Sequence, residues 1–315
     1  MPPKPFHAAD PLIARLRSMA RESPALKDAA ARYEAILPLL RTADLRTAAV
    51  PLTVDQVRQK LEKGVPLLHD VDLELDVEAV QELMLKLARA IEAADAKRHS
   101  PGFHFPWAGA AEAASSVRKL RQVLEGRRLD IAALLPHIAK NDQASVESAA
   151  RQLEVDAGLV MVLGQNALRP AFQTWGRQLG PLSKGIPWNK GACYVCGAAA
   201  MLGELQDNDQ VKHLRCGFCG ADWVFRRLPC TFCGNEDHKS QQYFFAEGQG
   251  ERARVEVCDT CKGYLKVIAA FAPTPSEMLP VEDLATVHLD FIAKKRGYRK
   301  SVVYSKKRAF DTDQI

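Results

Sequence analysis

Cysteine is missing from the first 192 of the 315 residues, aromatic side chains make up only 7%, and no apolar run approaches the ~18 residues that a bilayer-crossing helix needs. The runs LVMVL at 159–163 and VIAAFA at 267–272 are as far as apolar continuity goes. A helical membrane protein is therefore excluded. The N-terminal stretch MPPKPFHAADPLIARLRSMARESP scatters charge where an export signal would be continuously apolar, so a cytoplasmic location is expected. There is also no glycine-rich phosphate loop, no GxSxG and no HExxH, and no catalytic residue is assigned. The chain is expected not to be an enzyme. A composition of 47% hydrophobic and 26% charged residues excludes a disordered or fibrous chain and is large enough for more than one domain.

What fills the cysteine-free part is helix-forming residues with apolar positions recurring at helical spacing. The spacing predicts helices near 10–22, 25–41, 109–125, 128–139, 142–153 and 155–175. A short helix is expected after Thr53, whose spacing to Gln56 makes a capping box, with Gly64 as its C-terminal stop. Asp76 caps a longer helix carrying the stripe Val80, Leu83, Met84, Leu87 and Ile91, which reads as core. A bundle of six to eight helices follows. His104, between Phe103 and Phe105, reads as an aromatic-rich loop packed on that bundle, and PLSKGIPWNKGA at 181–192 as the linker beyond it.

The eight cysteines then arrive together, as four Cys-x-x-Cys pairs: Cys193 and Cys196, Cys216 and Cys219, Cys230 and Cys233, Cys258 and Cys261. Such segregation points to metal, because a reducing compartment disfavours disulfides and extracellular frameworks seldom use one spacing throughout. Gaps of 19 residues within the first four cysteines and 24 within the last four each suit a hairpin. MLGELQ, Asp207-Asn208-Asp209 and QVKHLRC read as strand, turn and strand. SQQYFFAE, GQGE and RARVEVC repeat the plan, with Ala253, Val255 and Val257 on one face. The sequential pairing makes site 1 Cys193, Cys196, Cys216 and Cys219, and site 2 Cys230, Cys233, Cys258 and Cys261; the alternative closes a loop between Cys219 and Cys230 and leaves the outer pairs to share an ion. The ten residues GADWVFRRLP between the ribbons read as one strand. Gly197, Gly220 and Gly234 follow three of the pairs and supply the positive φ of a tight turn, whereas Lys262 follows the fourth.

Four thiolates close a tetrahedral shell, which suits a structural or electron-transfer metal and not hydrolysis. Zinc and iron both accept that shell. Two divalent ions on eight thiolates would lower the formal net charge of +5 to about +1, and ferric ions to about +3, so the apparent basicity does not argue for nucleic acid. A zinc-ribbon nucleic-acid binder and a thiol redox protein are the alternative functions; the latter lacks the expected βαβ setting. After Pro280 a helix is expected with Leu284, Val287, His288, Phe291 and Ile292 on adjoining turns, His288 at the edge of the packed face. Residues 294–308 hold eight basic residues and no acidic one, which reads as a solvated tail.

The order CxxCG, RCxFCGxDWxFRRxxCxFCG, CDxCKGYLK and EDLATxxLDxxxxxxGY, behind a helical half, resembles the formate dehydrogenase accessory protein family, FdhE. The resemblance is specific from Cys193 to about Tyr298. It implies an α+β multidomain chain, with a helical domain at 1–185, rubredoxin-like or zinc-ribbon domains at 186–229 and 230–272, and a C-terminal helix with basic tail at 273–315. It further implies two metal ions, iron before zinc, and a part in maturing formate dehydrogenase by recognising its catalytic subunit, with no nucleic acid. Trp223, Arg226, Arg227, Asp259, Lys262, Tyr264, Lys266, Asp283 and Asp290 match other motif positions, while Glu282 stands where a second Asp is common. Trp and Arg are favoured interface anchors, so Trp223, Arg226, Arg227, Tyr264 and Lys266 are the expected partner-binding residues.

Overall fold

The computed structural model describes residues 10–96, 110–246 and 252–300; His104 and its aromatic neighbours lie outside them. Ten α-helices occur among these residues: α1 (Pro11–Glu22), α2 (Lys27–Thr42), α3 (Val54–Glu62), α4 (Val77–Ala96), α5 (Ala110–Glu125), α6 (Ile131–Ala139), α7 (Gln143–Gln152), α8 (Ala157–Leu179), α9 (Leu279–Ala285) and α10 (Val287–Lys295). Among the described residues no helix is long and apolar enough to cross a membrane. Two compact units emerge, Met1–Ala48 with Glu74–Ala171, and Ala49–Leu73 with Phe172–Ile315.

The described residues of the first unit form helices, and several of their starts are set by carboxylates. Asp10 accepts from the Leu12 and Ile13 N–H groups ahead of α1, Asp76 from Ala79 N–H at 2.9 Å ahead of α4, and Asp130 from Ala133 N–H ahead of α6. The α4 stripe is core as expected: Val80, Met84 and Leu87 are fully buried and Leu83 and Ile91 nearly so. Each contributes roughly 1.5–3 kcal/mol by leaving water. Around this packing, Arg32 grips Asp95 with two bonds of 2.7 and 3.1 Å, tying α2 to α4.

The second unit contains a seven-stranded sheet: β1 (Leu202–Gln206), β2 (Val211–Arg215), β3 (Asp222–Val224), β4 (Gln241–Phe245), β5 (Ala253–Cys258), β6 (Gly263–Ala270) and β7 (Arg299–Lys300). Its order is β3-β2-β1-β6-β5-β4, with β7 also on β6. Both expected hairpins form, β1 against β2 and β4 against β5, each antiparallel. Val255 and Val257 are buried on the shared face and Ala253 half-buried. The strand that sequence reasoning missed is β6, which runs antiparallel to β5 and parallel to β1, with Gly203 opposite Val267. Six of its eight residues, Gly263 to Ile268, are buried, the pattern of a strand covered on both faces.

That strand corrects the expected domain divisions. The ribbons at 186–229 and 230–272 are not separate domains, because β1 of one and β6 of the other are hydrogen-bonded neighbours. The helical domain at 1–185 is not one piece either. The capping box of Thr53 and Gln56 forms and Gly64 takes φ +68°, but the segment after α3 then binds the first Cys-x-x-Cys turn. Leu67 and Leu68 N–H donate to the carbonyls of Tyr194 and Val195 at 2.8 and 2.9 Å, and Lys190 Nζ donates to Gly64 O. Two further expectations change. GADWVFRRLP yields only the three-residue β3. The C-terminal helix is two, broken at Thr286, whose hydroxyl donates to Glu282 O at 2.7 Å. Their buried face carries Leu279, Val281, Leu289 and Ala293, whereas Phe291 is exposed and His288 half-buried.

Candidate metal centres

A tight turn closes each Cys-x-x-Cys pair. Gly197, Gly220 and Gly234 N–H donate to the carbonyls of Cys193, Cys216 and Cys230 at 2.8, 3.0 and 3.0 Å. Those glycines take φ of +76°, +79° and +71°, as their position demanded. Lys262 holds the corresponding place in the fourth turn at φ +55°, the left-handed region that a side chain disfavours. Backbone N–H groups point at sulfur: Val195 to Cys193, Cys219 to Cys216, Phe232 to Cys230 and Gly263 to Cys261, at 3.4–3.5 Å.

The hairpins bring the turns together in the sequential pairing. Cys193, Cys196, Cys216 and Cys219 have all four sulfurs within 4.8 Å of one another, and so do Cys230, Cys233, Cys258 and Cys261. None of the eight is in a disulfide. Four sulfurs about 2.3 Å from one ion at tetrahedral angles stand about 3.8 Å apart. In site 2 the Cys230–Cys261 and Cys233–Cys258 separations are both 3.8 Å. In site 1 Cys193–Cys219 and Cys196–Cys216 are tighter, at 3.4 and 3.5 Å. Donor set, spacing and N–H···S bonds all fit a four-thiolate ion.

Each cluster has one thiol primed to ionise. Hydrogen bonds from Cys193, Cys196 and Cys219 hold Cys216 well below its ordinary value. Although burial opposes it, Cys258 is brought down to about 7 by the Cys261 and Thr260 N–H groups. Burial pushes Cys219 well up and Cys261 to about 11, so loading must release protons.

The surroundings differ. Aromatic rings sheathe site 1. Tyr194 meets Trp223 edge-on at 6.2 Å, Phe218 lies 4.2 Å from Phe172, and Trp175 meets Phe172 at 5.1 Å. Burial raises Tyr194 to about 12. The end of α8 presses so closely that a Cβ on Gly176 would lie 2.3 Å from Cys219 O. In site 2, Cys233 and Cys261 are both half-buried, and nothing lies within 4 Å of where a Gly234 Cβ would be.

The expected partner-binding residues fare unevenly. Trp223, Tyr264 and Lys266 are 6%, 1% and 1% exposed and cannot anchor a partner, which is a correction. Trp223 Nε1 donates to Lys190 O at 3.0 Å, so the indole serves the sheath of site 1. Lys266 Nζ is bonded to Asp283 O, Asp283 Oδ1 and Asp290 Oδ2 at 2.6, 2.8 and 2.7 Å, and Tyr264 Oη donates to Asp290 Oδ1. Lys300 completes the cluster on Asp283. Five residues from β6, β7, α9 and α10 thus form one satisfied network, buried at Tyr264, Lys266 and Asp290 and half-exposed at Asp283 and Lys300, a role that spacing alone did not reveal. Arg226 and Arg227 remain exposed, the first paired with Glu236 and the second donating to Gln210 O.

A helical bundle followed by a sheet that clasps two four-cysteine clusters defines a metal-ribbon protein with closed sites. Residues 228–305 match the FdhE C-terminal domain, a segment that contains the second cluster. The chain is 32% identical over 145 residues to "Protein FdhE homolog" of Stutzerimonas stutzeri, and 30% identical over 116 residues to that of Aquifex aeolicus. Those matches cover 45% and 36% of this chain and 46% and 40% of the relatives, so the chain spans less than half of their length. The crystal structure of the FdhE protein from Pseudomonas aeruginosa shares the fold. Its TM-score is 0.56 at 23% identity, over 93% of this chain and 92% of that one.

Proposed function

We propose that both clusters hold a metal ion, iron in preference to zinc, and that the chain acts in the cytoplasm as an accessory protein in the assembly of formate dehydrogenase, recognising its catalytic subunit. The observation that carries the reading is the FdhE C-terminal domain match at 228–305 lying on a four-cysteine cluster with tetrahedral sulfur spacing. A closed shell leaves no position for substrate or water, which supports a binding role over hydrolysis. The convergence of four thiols in each cluster, where exchange needs only one Cys-x-x-Cys pair, supports metal over thiol redox exchange.

In this reading the protein supplies a rigid surface, and the metals supply the folding energy that a sheet of short strands lacks. Ordered strands lose little entropy on docking. Of the residues expected to meet the partner, Arg226 and Arg227 remain available for a carboxylate-bearing surface. The test is a deletion strain in which formate dehydrogenase activity, subunit abundance and co-purification are measured together. Lost activity at normal abundance, with the catalytic subunit retained by the tagged chain, is expected. Normal activity with no association contradicts the reading.

A further inference from the structure

The segment after α10 returns to site 2. Gly297 takes φ +84° and turns the chain, and Arg299 N–H then donates to Lys262 O at 2.8 Å, making the parallel pair of β7 and β6. Tyr298 Oη donates to Asp259 Oδ1 at 3.0 Å, and Lys262 Nζ donates to the same oxygen at 2.7 Å while lying 5.4 Å from the centre of the Tyr298 ring. Lys300 bonds Asp283 at 2.8 Å. Two anchors of this segment, Asp259 and Lys262, are the residues that follow Cys258 and Cys261 in the fourth turn.

Lys262 is also the one non-glycine at its position in the four turns, and it sits at φ +55°. A left-handed residue with a side chain persists only when its surroundings over-determine it. Two constraints act here, the closure of the turn around sulfur and the Arg299 bond to the Lys262 carbonyl. Whatever holds one makes the other less costly. We propose that Tyr298–Lys300 is a strap whose docking is thermodynamically coupled to metal occupancy of site 2 and not of site 1, with Tyr298 and Lys262 as its positioning residues. The proposal rests on the reading that the clusters bind metal. By linkage the coupling is reciprocal: loading site 2 fastens the strap, and the docked strap tightens metal binding at site 2.

The test uses the full chain loaded with zinc under reducing conditions, with total zinc measured first. Hydrogen exchange is followed in the peptide containing Arg299, and the zinc affinity of each site is measured by equilibrium competition with a chromogenic chelator. The Arg299 amide should exchange at least about fivefold faster in Cys258→Ser than in the parent, the lower bound of ordinary coupling. In Tyr298→Phe, and more so in Arg299→Pro, one of two zinc equivalents should bind at least about fivefold more weakly while the other keeps its parental affinity. Tyr298→Phe removes a single hydroxyl, so misfolding does not confound it. A parent chain that takes up fewer than two equivalents removes the metal reading and the coupling together. A parent with two equivalents, whose Arg299 exchange ignores Cys258→Ser or whose two zinc affinities are unchanged in both strap variants, overturns the coupling alone.

Discussion

The two cysteine clusters have the same ligands, the same turns and the same hairpin plan, yet they are embedded differently. Site 1 lies between aromatic rings and the end of α8, with three of its four cysteines buried. Site 2 has two half-buried cysteines, a bare Gly234, and Lys262 where the other turns have glycine. A closed shell built to one pattern can thus be permanent or exchangeable according to what is packed outside it. In this protein site 1 is the more enclosed cluster and site 2 the more exposed one, with Tyr298 and Arg299 bonded to its fourth turn.

The largest effect should come from removing a ligand. Cys219→Ser should lose one metal equivalent and much of the fold of the second unit, since structural zinc contributes on the order of 10–16 kcal/mol in small domains. Cys261→Ser should also lose one equivalent but keep the environment of Trp223, as read by tryptophan fluorescence and near-ultraviolet circular dichroism. Equal collapse in both variants would erase the asymmetry. Next in size is Lys266→Met, which leaves the buried Asp290 without its cation and Asp283 with Lys300 alone, and should cost about 3–5 kcal/mol in denaturant unfolding.

The Lys266 network also carries a pH signature. Although burial opposes it, Lys266 and Lys300 hold Asp283 down to about 2, below the ~3.9 of an unfolded aspartate. A carboxyl lowered by folding contributes stability that is complete above about pH 4 and lost as pH falls toward 2. The stability gap between the parent and Lys266→Met, compared at matched metal content, should therefore narrow over that window.

Gly176→Ala probes the sheath of site 1 and should cost about 2–3 kcal/mol, because the added methyl meets a backbone carbonyl that cannot yield without moving Cys219. Its metal loss should come from site 1. The smallest effect belongs to Lys262→Gly. Relief of the left-handed backbone is set against loss of the Asp259 pair and the Tyr298 contact, so the net change in melting stability should stay within about 1 kcal/mol.

Much of this was legible in the residues. Helical periodicity located α1 to α8, and at starts such as those of α3 and α4 local chemistry, a Thr or Asp ahead of a stripe, fixes the boundary. The sulfur pairing followed from gap length, and the positive φ of Gly197, Gly220 and Gly234 from their place after cysteine. What stayed hidden depends on partners distant in the chain. GYLKVIAA gives no alternation because both of its faces are covered, so β6 could not be told from a loop or buried helix segment. Leu67 and Leu68 show no sign that they bind the turn at Tyr194. Tyr264 and Lys266 look like surface residues until Asp283 and Asp290 are seen to meet them. Trp223 reads equally well as a docking anchor or a cover for the ribbon, and only its bond to Lys190 decides.

The central claim is that eight cysteines make two closed four-thiolate metal sites. Sulfur-shell X-ray absorption at the bound metal, with elemental analysis of chain purified without oxygen, tests it most directly. The account predicts two metal equivalents per chain, each ion surrounded by four sulfurs at about 2.3 Å. A folded chain with no metal and its cysteines in disulfides, or a metal carrying oxygen or nitrogen ligands, would contradict it.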